Sequence, residues 1–168
     1  MSLKKYIATK PDSVDAYSLL QKIYWRKNDI PGHCEVSVKL CQIYLKTKDE
    51  ESALNEYHEF QKMGGNKLPA AMWLEICRIF EGRQDYERAV SEYEQLADAY
   101  PDEKQSLLAS MAAGRILLKN LNRPDNALRF YEAAAASRVP HLEWESNIKN
   151  GIEQSQKLAN SSVPVGKA

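Results

Sequence analysis

Three histidines and three cysteines are the side chains of this sequence best suited to hold a metal or act as a nucleophile: His33, His58, His141, Cys34, Cys41 and Cys77. Such chemistry requires convergence, and their spacing gives little. His33 and Cys34 are adjacent, so on a helix they point in different directions. Cys34 and Cys41 are separated by a helical rise of ~10 Å, too far for a disulfide or a shared metal. No CxxC pair occurs, and Cys41 and Cys77 read as small buried residues. The carboxylate pairs Glu50-Glu51 and Glu92/Glu94 read as parts of solvated helix faces, where a glycosidase-type dyad has no cleft to work in. The glycine-rich "MGGNK" at 63–67 lacks the spacing and the trailing Lys-Ser/Thr of a phosphate loop. The expectation is a chain that is not an enzyme and needs no cofactor or metal, and whose chemistry is recognition.

Composition narrows the partners. The 168 residues are 43% hydrophobic, enough for a core, and carry 23 basic against 23 acidic side chains. That balance provides no long-range positive field for nucleic acid or an anionic membrane. No run reaches the ~18 apolar residues of a membrane span, and "MSLKKYIATK" has no signal-like apolar stretch. Direct membrane insertion of this chain is therefore not expected. An odd number of cysteines fits a reducing compartment, so the expected location is cytoplasmic, or the cytoplasmic side of a membrane-anchored parent protein.

The elements that must position a recognition surface are helices. Glycines and prolines, seven of each, separate amphipathic stretches rather than interrupt them. The pattern predicts eight helices, over 12–27, 31–47, 50–63, 68–82, 85–99, 103–120, 124–137 and 141–158, with no strand. Residues 1–11 form a leading segment, and 159–168, ending in "VPVGKA", read as a disordered tail.

Within the helices a motif recurs. Ala53, Ala89 and Ala127 each begin an Ala-x3-Tyr that ends at Tyr57, Tyr93 and Tyr131, at intervals of 36 and 38 residues. Upstream of each stands a second set at matched spacing: Leu40-Cys41-x2-Tyr44, Ile76-Cys77-x2-Phe80 and Ala113-Gly114-x2-Leu117. Two antiparallel helices approach closely only where a small side chain on one faces a large one on the other. Each repeat is thus a helix pair, over about 31–65, 68–101 and 103–138. One pair cannot bury its apolar face alone, so neighbouring pairs stack into a continuous seam.

The stretch "WLEICRIFEGRQDYERAVSEYEQLADAYP", residues 73–101, carries a family resemblance. Trp73, Ile76, Cys77, Phe80, Ala89, Tyr93 and Pro101 stand at the positions of W-x2-L-G-x2-Y, A-x3-F and the closing proline, so the chain resembles the tetratricopeptide repeat (TPR) family. The flanking pairs match less closely, with Ser37 and Ser110 at the tryptophan position and one extra residue in the turn "NLNRPD". The fold implied is an all-α, right-handed α-solenoid of antiparallel helix pairs, with helix 12–27 as a degenerate half-repeat, His33 where alanine belongs, and helix 141–158 as a cap.

The resemblance also implies a site, because first helices line the concave side of such arrays. The residues one step past the core stripe are then Val38, Gln42 and Lys46, Leu74, Arg78 and Gly82, and Met111, Arg115 and Lys119. Each trio runs i, i+4, i+8 along one face. An apolar row beside arginines suits a protein or peptide segment with apolar anchors and acidic groups, or a second copy of the chain. Val38, Gln42, Glu75, Leu108 and Ala112 occupy positions where one branch of the family carries its carboxylate clamp, so the resemblance implies a groove without that clamp. The alternative is a structural or regulatory domain of a larger, membrane-anchored protein whose activity lies elsewhere. RNA binding by a helical array is disfavoured by the neutral charge. If the seam is as drawn, Ala89→Leu overpacks it and costs about 1–3 kcal/mol, which a thermal melt of helicity reads directly.

Overall fold

The structure, a computed structural model, describes residues 1–162, with only the backbone of Ser162. Among them are nine α-helices and no strand: α1 (Leu3–Thr9), α2 (Val14–Arg26), α3 (Ile30–Lys46), α4 (Glu50–Lys62), α5 (Ala70–Gly82), α6 (Tyr86–Ala99), α7 (Lys104–Lys119), α8 (Pro124–Ala135) and α9 (Glu145–Ser162). The added helix is α1, which the sequence places in a leading segment. At seven residues it is too short for a hydrophobic period to show, and its N-terminus is capped by Ser2. The last helix is preceded by a 3-10 turn at Leu142–Trp144 and continues through 159–162, so those residues are helical rather than part of a disordered tail. The remainder of that expected tail lies outside the described residues. By internal contacts the chain divides into two compact units, Met1–Leu68 and a second beginning at Pro69, where the sequence reads one continuous domain.

In the N-terminal unit α3 packs against both α2 and α4, so one helix does serve two pairs. Its contact with α4 follows the small-residue rule: Cys41 and Ala53 are buried, and the Cys41 Sγ lies 3.5 Å from the Ala53 carbonyl oxygen. Leu40, Ile43, Tyr57 and Phe60 fill the space around them. The contact with α2 differs. His33 replaces the alanine, and Gln21 Nε2 donates to Ser37 Oγ at 2.8 Å and to Glu56 Oε2 at 2.9 Å, a polar seam instead of an apolar one. Burial raises the Glu56 pKa, and the Gln21 hydrogen bond opposes that rise.

The C-terminal unit is a helical solenoid. Each helix from α5 to α9 packs on its sequence neighbour, and α5 meets α7 as α7 meets α9, so alternate helices lie side by side. Cys77 and Ala89 are both wholly buried, with Ile76, Tyr93 and Leu96 beside them in the core. In the next pair the Tyr131 ring sits against both Gly114 of α7 and Gly151 of α9, and a methyl group at either position would collide with it. One ring thus holds three helices together. Trp73 is buried, and its indole N–H donates at 2.9 Å to Glu92, whose other oxygen accepts from Arg88 at 2.8 Å. Glu92 is therefore buried, not on a solvated face as its spacing suggests. The carboxylate is tolerated there because an indole donor and a guanidinium both reach it.

Four intra-pair turns are built alike. Asn28, Lys48, Gln84 and Asn122 have φ between 51° and 62°, and each precedes the helix N-cap. In the first three, the N-cap is an aspartate whose N–H bonds the carbonyl five residues back: Asp29 to Tyr24, Asp49 to Tyr44 and Asp85 to Phe80, at 2.9–3.0 Å. Its carboxylate then accepts from the third residue of the new helix, at Gly32, Ser52 and Arg88. The fourth turn spans one residue more, with Arg123 bonding Leu117, which accommodates the extra residue of "NLNRPD". Left-handed backbone strains a side chain such as glutamine, so Gln84→Gly is expected to stabilise the protein by about 0.5–1 kcal/mol. A urea melt showing no gain would count against that turn geometry.

Candidate functional site

The side-by-side arrangement of α5, α7 and α9 leaves a hollow of about 400 Å³ on the C-terminal unit. α5 contributes Leu74, Arg78 and Glu81, and α7 contributes Leu108, Met111, Arg115 and Lys119. Five residues singled out from the sequence, Leu74, Arg78, Met111, Arg115 and Lys119, thus line one cavity. They do so because i, i+4, i+8 positions share a helix face and α5 lies beside α7. The floor is formed by Tyr93 and Tyr131, the residues that fill the seam beneath.

The third wall was not anticipated. α9 turns Asn147, Asn150 and Gln154 into the hollow, spaced three and four apart on one face. None makes a side-chain hydrogen bond among the described residues. Their sequence signal, a polar stripe opposite Ile148 and Ile152, is easily taken for the solvated face of a cap.

The cations of the hollow are not equivalent. Arg115 Nη2 donates to Glu81 Oε1 at 2.6 Å, and the Tyr93 hydroxyl donates to Glu81 Oε2 at 2.9 Å. Burial, and then the neighbouring Glu81 carboxylate, push the Tyr93 hydroxyl pKa up, so it remains a donor. Arg78 and Lys119 have no hydrogen-bond or ion-pair partner among the described residues. Burial likewise raises the Tyr131 pKa. The hollow therefore combines an apolar end at Leu74, Leu108 and Met111, two unpaired cations, and amides that both donate and accept.

Val38, Gln42 and Lys46 stand on α3 in the N-terminal unit and do not line this hollow. Val38 is half-buried, Gln42 accepts a 3.5 Å hydrogen bond from Lys39, and Lys46 is paired with Asp12 at 2.5 Å. That pairing holds the Asp12 carboxyl below its usual pKa. Gly82 is exposed and does not line the hollow.

Other chemistry-bearing side chains remain dispersed. His33 is buried on α3 with its ring edge-on to Trp25 at 5.9 Å, and its Nδ1 has no hydrogen-bond partner. His141 Nδ1 lies 2.8 Å from the Val139 carbonyl oxygen. Among the described residues, no group of three or more His, Cys, Asp or Glu could hold a metal ion. Nor is any helix among them long and apolar enough to cross a membrane. Of the tryptophans, Trp73 is core, Trp25 is exposed beside the half-buried Tyr24, and Trp144 is half-buried beneath the Lys104 ammonium at 4.7 Å. A larger cavity of about 600 Å³ opens on the α6 and α8 layer, where Glu94, Asp98 and Asp102 accompany Arg129 and Arg138. It carries three acidic against two basic side chains, whereas the α5–α7–α9 hollow carries three basic against one acidic.

The sequence matches no protein-family model and no curated protein. Among solved structures, the chain is similar to the crystal structure of BtubC (BKLC) from P. vanneervenii. The two share 14% identity with a TM-score of 0.55, over 94% of this chain and 79% of that one. A likeness at that identity concerns the fold alone.

The three cysteines are free, with Cys41 and Cys77 buried and Cys34 half-buried. Burial raises the pKa of Cys34 and, much further, that of Cys77, so both are neutral thiols at pH 7. A disulfide-exchange reagent at neutral pH is expected to react slowly with Cys34 and not with Cys41 or Cys77. All three should respond once urea unfolds the chain; rapid native labelling of Cys77 would contradict its place in the seam.

Proposed function

We propose that this chain is a TPR-like, non-catalytic interaction module that binds an acidic, partly apolar peptide segment of a partner protein along the α5–α7–α9 groove. The observation that carries this reading is the hollow itself, with Arg78 and Lys119 unpaired beside an apolar end. A guanidinium left without a counter-ion in a concave wall is suited to a carboxylate, which it grips through two parallel hydrogen bonds. Leu74, Leu108 and Met111 offer apolar contact, and Asn147, Asn150 and Gln154 can pair with the N–H and C=O groups of a peptide backbone. Because the groove is preformed by packed helices, the scaffold loses little freedom on binding. Three free cysteines fit action in a reducing compartment, on the cytoplasmic side of any membrane involved.

The test is charge reversal at the two unpaired cations. Arg78→Glu with Lys119→Glu removes no internal ion pair, so the melting temperature should remain within a few degrees. Affinity for a fluorescent eight-residue peptide carrying two Glu and two Leu among Gly and Ser should fall at least about tenfold by anisotropy. Unchanged affinity would remove the groove from consideration as the acidic-peptide site.

A further inference from the structure

Among the residues lining the groove, Glu81 is the single carboxylate, and it is held more firmly than a surface acid. Its Oε2 accepts from the hydroxyl of Tyr93, whose ring is wholly buried, while its Oε1 accepts from Arg115 of the next pair, 34 residues along the chain. A donor fixed in the core prevents this carboxylate from swinging into solvent. The Arg115 side chain remains 43% exposed, and the groove faces its guanidinium. The arrangement is that of an arginine presented to a ligand but already holding an acid from its own chain.

We propose that Glu81 is the specificity-determining residue of the groove, an internal counter-ion that occupies Arg115 in place of a ligand carboxylate. This rests on the groove being the acidic-peptide site. A ligand carboxylate brought to Arg115 would lie beside that of Glu81, and two like charges at such a distance repel strongly at the partly dry floor of a cleft. Accepted partners therefore carry their acids opposite Arg78 and Lys119, with a neutral residue opposite Arg115. Glu81 excludes segments that are acidic throughout and lowers the affinity of every acidic ligand below what three free cations would give.

The experiment compares the full chain with Glu81→Gln, whose amide oxygen can still accept from Arg115 while its NH2 donates to the Tyr93 oxygen, without the charge. Anisotropy is measured with the two-Glu, two-Leu peptide and with a counterpart bearing Gln for each Glu. Glu81→Gln should bind the glutamate peptide about tenfold tighter, and that gain should shrink as salt is raised. The glutamine peptide should respond equally to both proteins. Detectable binding by Glu81→Gln where the wild type shows none supports the same conclusion. If the wild type binds the glutamate peptide and Glu81→Gln binds it no better, or gains equally for both peptides, the inference is overturned while the groove still stands. If neither protein binds either peptide, the groove reading fails and takes this inference with it. Circular dichroism monitors folding, and Glu81→Ala, should the glutamine variant melt early, must show the same charge-dependent gain.

Discussion

The close approach of paired helices depends on a small residue facing an aromatic ring. At α5 and α6, Cys77 and Ala89 leave room that Phe80 and Tyr93 fill; at α7, α8 and α9, Gly114 and Gly151 leave room for Tyr131. A larger residue at any of these sites would push the helices apart. Because the gap is filled by a tyrosine rather than a phenylalanine, its hydroxyl emerges at the floor of the groove. The seam and the groove thereby meet in Tyr93, which fills the one with its ring and holds Glu81 in the other with its hydroxyl.

The pairing also explains the buried acid. Trp73 fills a wide gap between α5 and α6, but an indole carries a polar N–H that must find an acceptor once buried. Glu92 supplies it, and Arg88, which also lies over the Phe80 ring at 5.5 Å, balances the charge. The α5–α6 pair thus carries an ion-paired carboxylate in its interior.

Much of this was legible in the sequence because it is local. Helix periodicity, and the alanine and tyrosine four apart on each second helix, all fall within a single element. The face bearing Leu74 and Arg78, or Met111 and Arg115, follows from counting along one helix. What could not be seen depends on pairings across tens of residues. That Glu81 takes Arg115 as its specific partner emerges only when α7 is laid beside α5. Glu92 resembles any acid on a charged helix until Trp73 is known to lie beneath it. Asn147, Asn150 and Gln154 are polar residues on a polar face, and only the position of α9 turns them into a wall. The division at residue 68 left no signal beyond "MGGNKLP", which reads as another inter-helix turn.

The Tyr131 ring, clasped by a glycine on either flank, makes α7, α8 and α9 interdependent. Peeling α9 away would bare one side of that ring and simultaneously dissolve a wall of the groove. Fraying of α9 and loss of the proposed peptide would then be one event, so a segment bridging α5 and α9 would act as a splint against unravelling.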